Sequence, residues 1–390
     1  MVDPKSEIVW KSLAMEKNMT GVEVAWRTLQ RERVEEPCLI ACWMMKRGFF
    51  RRYGGVQNIY GNPVQTAVEA FANAGCNLNP QFILPSPTHE HRACDPFNLP
   101  SVDQENVPLS KLLKSVTPEQ VRDDVEKLPE KGTLASEFDI RGTANEYAER
   151  LLKLRQLSGN RTLYISGFGG PSFMGGYTKW SYESYLSALL LYPEHLRKYY
   201  EYSAEFAKLR NVAIVDAMER FDLAPVVYGG DDICFNDGPI CSVDTLDNLY
   251  FPSLKSAIQP LVDAGIDIVW HCDGNVLPIV DRLIGMGITG FQGFQEREAG
   301  IPFEEMAKLR RADGGKLIFF GSISVVHTFP FGDEDEMKRE IERCYRVAGP
   351  GGGFCLASSS SVLPETPMEN ITTFLEHGAE FGRRFLAGLT

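Results

Sequence analysis

The chain has no uninterrupted run of about 18 apolar residues, the length that reads as a bilayer-spanning helix. A membrane span is therefore not expected. Its nine cysteines, at positions 38, 42, 76, 94, 234, 241, 272, 344 and 355, are odd in number and contain no C-x-x-C pair. Neither a disulfide scaffold nor a zinc ribbon is suggested by that pattern. No G-x-G-x-x-G or P-loop sequence occurs, so a nucleotide cofactor is not indicated. Cations are outnumbered, and the formal net charge of -12 argues against nucleic acid or an anionic membrane surface as a partner. The opening MVDPKSEIVWKSLAMEKN lacks a basic stretch followed by an apolar one, so it does not read as a secretory signal, and cytoplasmic residence is the expectation.

What the chain does have is enough apolar residues, 44% of 390, to bury a large core. Its second half alternates short β-branched or aromatic runs with helical patterns. Strands are expected at Pro225–Gly230, Ile266–Cys272, Ile288–Phe294, Leu317–Gly321 and Gly353–Ala357. Helices are expected between and after them, near Phe251–Ala264, Val276–Met286, Pro302–Arg311, Glu334–Val347 and Pro367–Leu386. In the second of these, Val276, Ile279, Val280, Leu283 and Ile284 form one apolar stripe, and Asn275 is placed to cap its start.

Three further strands are expected at Pro37–Trp43, Pro80–Leu84 and Arg161–Gly167, with a helix at Pro63–Ala74 and a long helix from Pro193 to Phe221. Eight β-α units in one chain point to an α/β fold of the closed (β/α)8 TIM-barrel type, in which crossovers are right-handed. The expectation is one domain over residues 1–390, with an N-terminal helical segment at 1–36 and an insertion at 86–160. That insertion is too long for a plain β-α connection and carries its own helical patterns at Pro118–Lys127 and Thr143–Leu157. Following the second strand, it would lie over the face of the barrel where active sites are built.

Chemistry concentrates where strands end. The segment Asp267-Ile-Val-Trp-His-Cys-Asp-Gly-Asn275 delivers three titratable groups at the end of a buried strand. Alternate side chains of a strand share a face, so His271 and Asp273 converge while Cys272 points away. A His and an Asp so placed can hold a divalent metal that polarises a substrate. A hydrogen-bonded core His271 beside a helix-capping Asp273 fits the same segment. Gly274 also offers an opening for a bulge, which would make Cys272 the ligand instead.

Tyr228-Gly-Gly-Asp231-Asp232 ends the preceding strand, where its carboxylates could orient a substrate, act as general base or bind a cation, or simply cap a turn. Glu296 follows Gln292 and Gln295 after the next strand, either as a further ligand or as a solvated neighbour of Arg297 and Glu298. After the first strand, Lys46, Arg47, Arg51 and Arg52 are interleaved with aromatics and could clamp substrate carboxylates or phosphates, or form the start of an amphipathic helix. His89-Glu90-His91 looks like a metal pair without a second ligand cluster.

Gly230-Asp-Asp232, His271-Cys-Asp-Gly-Asn275 with Pro278, Ala299-Gly300, Gly351-Gly-Gly353 and Leu363-Pro-Glu-Thr-Pro-Met-Glu-Asn370 together resemble the uroporphyrinogen decarboxylase superfamily. Weaker similarity reaches back through Tyr182-Glu183 and Tyr192-Pro-Glu194. That superfamily includes the decarboxylase and the corrinoid-dependent methyltransferases. The decarboxylase's Arg-Gln-Ala-Gly-Arg type motif is missing, with Lys46-Arg47 in its place, and its histidine in the last Gly-rich strand loop is replaced by Ser358–Ser361.

The methyltransferase branch places zinc on His-x-Cys and a later Cys. Here the matching positions are His271-x-Asp273 and Ser360, a harder donor set. The resemblance thus implies a methyltransferase that moves a methyl group between a small methylated compound, such as a methyl ether, and a corrinoid (cobalamin) carried by a partner protein. Zinc or another divalent metal would sit on His271 and Asp273, with Cys272, Glu296 or Asp232 as further candidates, and Asp232, His271 and Asp273 would be catalytic. Lys46, Arg47, Tyr228, Asp231 and Ser360 are the expected substrate contacts. Decarboxylation of a tetrapyrrole or other polycarboxylate, and non-catalytic binding of a corrinoid or porphyrin, are the alternatives.

Overall fold

The computed structural model describes residues 19–100, 116–130 and 132–389. Residues 1–18 of the expected N-terminal segment, and residues 101–115 and 131 of the expected insertion, lie outside these. Eight strands carry the architecture: β1 (Leu39–Ile40), β2 (Leu78–Asn79), β3 (Leu163–Tyr164), β4 (Val226–Gly230), β5 (Asp267–His271), β6 (Gly290–Gln292), β7 (Ile318–Ile323) and β8 (Phe354–Ser358). Six of them form one parallel sheet in the order β1-β8-β7-β6-β5-β4, and β2 pairs in parallel with β3. Strands β5, β6, β7 and β8 are buried at every residue, as expected for a parallel sheet covered on both faces, and this is why β5, β7 and β8 read as continuous apolar runs rather than alternating ones.

The two groups of strands are joined by hydrogen bonds outside the ladders. The Leu39 N–H donates to Asn77 Oδ1 at 2.8 Å, and Asn77 Nδ2 donates back to the Pro37 carbonyl at 2.8 Å. At the other edge the Tyr228 N–H donates to the Ser166 carbonyl at 3.1 Å. The second strand is shorter and earlier than its sequence suggests. It occupies Leu78–Asn79, not Pro80–Leu84, while Leu84–Pro85 pairs antiparallel with Ala93–Cys94 in a separate hairpin.

Helices fill the connections. Gly21–Leu29 starts at a capping box in which the Thr20 hydroxyl accepts from the Glu23 N–H and the Glu23 carboxylate accepts from the Thr20 N–H. The long helix Pro193–Phe221 packs on Phe251–Asp263, where Ala204, Ala207 and Ala257 are buried together and their small side chains let the two backbones approach. Asn211 closes that contact by donating to the Ala257 carbonyl at 2.8 Å. Two helical expectations are modified. The Val276–Met286 pattern opens as a 3₁₀ turn at Leu277–Ile279, with Asn275 Oδ1 accepting from the Leu277 N–H, before the helix Val280–Met286. Only Phe303–Met306 of the Pro302–Arg311 pattern is helical, because Arg310 then pairs as an isolated bridge with Lys316. No helix of the described residues is long and apolar enough to cross a membrane.

The end of the sheet opposite the His271 strand terminus is tied by one ion pair. The Arg31 guanidinium makes two 2.7 Å bonds to the Asp267 carboxylate at the start of β5, and its Nε donates to the Lys316 carbonyl at 3.0 Å. Both side chains are largely buried, so removing one strands the other. Arg311 stands 3.9 Å from Asp267 and offsets part of that cost. Replacing Arg31 with Met is expected to lower the unfolding free energy by about 2–3 kcal/mol, at or just below the range for breaking a buried pair. A urea titration with an unchanged m-value measures it.

Candidate metal centre

Strand register brings the functional side chains together. Gly230 on β4, His271 on β5 and Gln292 on β6 are lateral neighbours, so the residues just beyond them leave the sheet at one place. Gly230 is required there, because a Cβ on it would meet the His271 carbonyl oxygen at 1.9 Å. Asp232, His271 and Asp273 form the cluster: one ligand atom from each lies within 4.8 Å of the others. His271 Nε2 is 3.5 Å from Asp232 Oδ1 and 3.9 Å from Asp273 Oδ1. These separations are longer than a good hydrogen bond. They approach the roughly 3.3–3.6 Å expected between neighbouring ligands placed about 2.0–2.2 Å from a tetrahedral ion.

The surroundings hold each member in place. The Asp273 N–H donates to Asp232 Oδ1 at 2.8 Å, and the Ser360 hydroxyl donates to Asp273 Oδ2 at 3.1 Å. Among the described residues Asp273 Oδ1 is buried without a hydrogen-bond partner, which costs free energy unless something positive meets it. Burial raises the Asp273 carboxyl to about 6; His271 and the Ser360 hydroxyl oppose that rise, while Asp232 and Glu298 add to it. The Trp43 ring stands edge-on to the imidazole with centroids 4.3 Å apart. Trp43 adopts a φ of 41°, a left-handed conformation disfavoured for a bulky side chain. It is kept there by paired bonds on either side, Val362 N–H to the Trp43 carbonyl and Met45 N–H to the Val362 carbonyl.

Other candidate residues serve elsewhere. Cys272 turns from the cluster. Its thiol donates to the Asp273 carbonyl at 3.2 Å, and it is pushed well above the usual thiol range by a hydrogen bond with Cys234 and by burial. Glu296 is not brought to His271: its carboxylate pairs with Arg343 and accepts from the Phe303 N–H at 2.6 Å. Asp231 is buried, accepting from the Phe173 and Met174 N–H groups at a helix start and from the Tyr250 hydroxyl; burial lifts it to about 7 despite those bonds. The Tyr228 hydroxyl donates to Gln292 Oε1 at 2.8 Å inside the core.

Lys46 donates to the Pro364 carbonyl at 2.6 Å, and Arg47 donates to the Ser86 carbonyl at 2.8 Å while lying over the Tyr60 ring. Arg51 and Arg52 are likewise engaged, with the Gln57 carbonyl and the Thr372 hydroxyl. His91 pairs with Glu365 at 3.0 Å, outside the cluster.

Two residues passed over in the sequence matter here. Gln292 meets His271 Nδ1 at 2.5 Å. Glu298, not Glu296, is the carboxylate of its loop whose charge is felt at Asp273, and it is held by the Ser324 hydroxyl at 3.1 Å and by His327 at 3.3 Å. A cavity of about 480 Å³ lies against the neighbouring strand ends, lined by Ser322, Ser324, Ser359 and the Glu296 and Arg343 pair.

The model of the uroporphyrinogen decarboxylase (URO-D) family matches residues 116–381, most of the chain. The protein belongs to the uroporphyrinogen decarboxylase family. No curated protein matches it. Among solved structures, a methyltransferase from Methanosarcina mazei is similar to this family member with a TM-score of 0.58 and 18% identity, covering 93% of this chain and 99% of that one. At that identity the likeness speaks for the shared fold.

The tightness around His271 yields a test. Gly293, beside Gln292, has a φ of 97°, and a Cβ there would meet His271 Nδ1 at 2.5 Å. Gly293→Ala is expected to push the imidazole out of line and, if the cluster takes zinc as proposed below, to weaken that binding by about 10- to 100-fold, the size of effect seen when ligand orientation is disturbed. Competition against a chromogenic chelator gives the change, with circular dichroism to confirm the fold.

Proposed function

We propose that this family member is a methyltransferase that passes a methyl group between a small methylated compound and a corrinoid protein, with a divalent metal, zinc, held by Asp232, His271 and Asp273. One observation carries the reading. Three potential ligand atoms face one another from the ends of β4 and β5, and one of them, Asp273 Oδ1, has no hydrogen-bond partner among the described residues although it is buried. A nitrogen and two carboxylate oxygens suit such an ion. When bound, the ion supplies Lewis acidity toward an oxygen of the methyl donor, so a methyl ether is the proposed donor class. The Methanosarcina mazei methyltransferase, alike along nearly its whole length, supports the same branch of the family.

The chain's own residues do the rest. Asp232 and Asp273 are aligned by the bond between them, Ser360 sets the orientation of the Asp273 carboxylate, and Trp43 covers the edge of His271. Asp231 stays buried behind them as a brace between the end of β4 and the helix Phe173–Trp180. In this reading the hydrogen bonds at Asn77 and Ser166 close the eight strands into a single (β/α)8 barrel domain. The described residues of that insertion, 86–100, 116–130 and 132–160, then belong to an elaborated connection over the active-site face, and the protein works in the cytoplasm. Decarboxylation of a polycarboxylate is less well supported, because Lys46, Arg47, Arg51 and Arg52 already have partners. Non-catalytic tetrapyrrole binding would leave the strained Trp43 and the orphaned oxygen without a use.

The purified protein is expected to contain close to one equivalent of zinc and to form methylcobalamin from cob(I)alamin with at least one methyl ether in a panel. His271→Ala and Asp273→Asn should each lower metal affinity by more than about 100-fold, exceeding the loss from disturbing a residue that only orients a ligand, whereas Cys272→Ser should retain the metal. Metal-free protein that keeps full activity in a chelator would sink the metal role. Carbon dioxide release without methyl transfer would decide for the decarboxylase.

A further inference from the structure

His271 can present either of two nitrogens without a proton, and only one choice serves the cluster. Its Nδ1 faces Gln292 Oε1 at 2.5 Å, while its Nε2 faces the carboxylates of Asp232 and Asp273. Which nitrogen carries the hydrogen therefore depends on which way the Gln292 amide points.

That amide has no freedom to turn. Gln292 is 1% exposed, and its Nε2 donates to two backbone carbonyls, Ser358 at 3.1 Å and Ser359 at 2.8 Å. Turning the amide over would set its oxygen against both carbonyls, which have no hydrogen to offer, and would strand two buried acceptors. The oxygen must face His271 and Tyr228. Tyr228 donates its hydroxyl hydrogen to that oxygen at 2.8 Å, so every donor and acceptor position of the amide is used.

We propose that Gln292 is a positioning residue that holds the hydrogen of His271 on Nδ1, so that the neutral ring turns a bare Nε2 lone pair toward Asp232 and Asp273. The opposite tautomer would place two acceptors face to face at 2.5 Å on one side and spend its N–H on a carboxylate on the other. Gln292 reaches this role through the loop after β8, whose backbone carbonyls fix its orientation. The same loop supplies the Ser360 hydroxyl to Asp273. A run of serines thus orients two members of the cluster at once, one directly and one through Gln292. The use made of the lone pair rests on the metal reading above, whereas the tautomer follows from hydrogen bonding alone.

Metal-free, ¹⁵N-histidine-labelled protein decides it, at a pH where the ring is neutral. Nitrogen chemical shifts and two-bond couplings identify the tautomer, and His271→Gln identifies the signals. The expected spectrum shows a protonated Nδ1 and a pyridine-like Nε2; an Nε2–H tautomer in the unaltered protein overturns the proposal. Gln292→Met keeps the length and removes the acceptor, so the Nδ1–H form should lose its dominance and zinc affinity should fall 10- to 100-fold. Persistence of the Nδ1–H form in that variant would also overturn it. Tyr228→Phe, which leaves the bond from Nδ1–H to Gln292 intact, should keep the tautomer, and it serves if Gln292→Met does not fold. A protein with a bare Nε2 that binds no zinc would leave this proposal standing and remove the metal reading. One that binds zinc while its metal-free form carries Nε2–H would do the reverse.

Discussion

Two carboxylates set within 4 Å of one imidazole nitrogen, at the closed end of a buried strand, repel each other unless a positive charge lies between them. Much of the surrounding structure follows from holding them there. The parallel register of β4, β5 and β6 fixes the heights of the three strand ends, and glycine at 230 lets β4 come close enough for Asp232 to reach across. The Asp273 N–H is spent on Asp232, which partly neutralises one carboxylate and leaves the other with an oxygen unsatisfied. The balance is negative.

The two halves of the fold differ in how much of them a sequence can carry. Strands β4, β5, β7 and β8 each have several consecutive apolar residues, and the parallel, doubly covered environment that buries them also makes their runs continuous. The strands β1, β2 and β3 are two residues each, too short for any periodicity. At β2 the neighbouring Gln81-Phe-Ile-Leu84 run looks more like a strand than Leu78–Asn79 does. The hydrogen bonds of Asn77, a side chain standing in for backbone, tie that region to β1, and nothing in composition announces such a substitution.

The candidate site divides in the same way. His271 ends β5 and Asp273 lies two residues on, just past the strand, and Asp232 lies two residues past the end of β4, so nearness to strand ends is what the sequence offers. Glu296 has the right chemistry at the right place in the chain, yet Arg343, 47 residues away on the helix Glu334–Ala348, captures it. A long-range ion pair has no local signature. Gln292 was passed over for the opposite reason: a neutral amide is not a ligand type, and its importance appears only when its four hydrogen bonds are traced to other strands.

The donor set bears on the chemistry expected of this member of the family. Thiolates are soft and lend themselves to activating a thiol acceptor, whereas an imidazole with two carboxylates is harder and favours oxygen. Thiols lie close by but outside the cluster: Cys272 faces Cys234, and Cys42 is buried against the Tyr228 hydroxyl with its thiol pushed up to about 12 by burial. A serine, Ser360, occupies the position from which the second thiolate would come, and its hydroxyl is turned to orienting a carboxylate. Exchanging two sulfur ligands for oxygen, while keeping the histidine and the loop that orients it, changes which atom of a substrate the ion would prefer without altering the strands that deliver it. The scaffold and the preference of the ion are separable here, because register positions the ligands and only their side-chain chemistry selects what they bind.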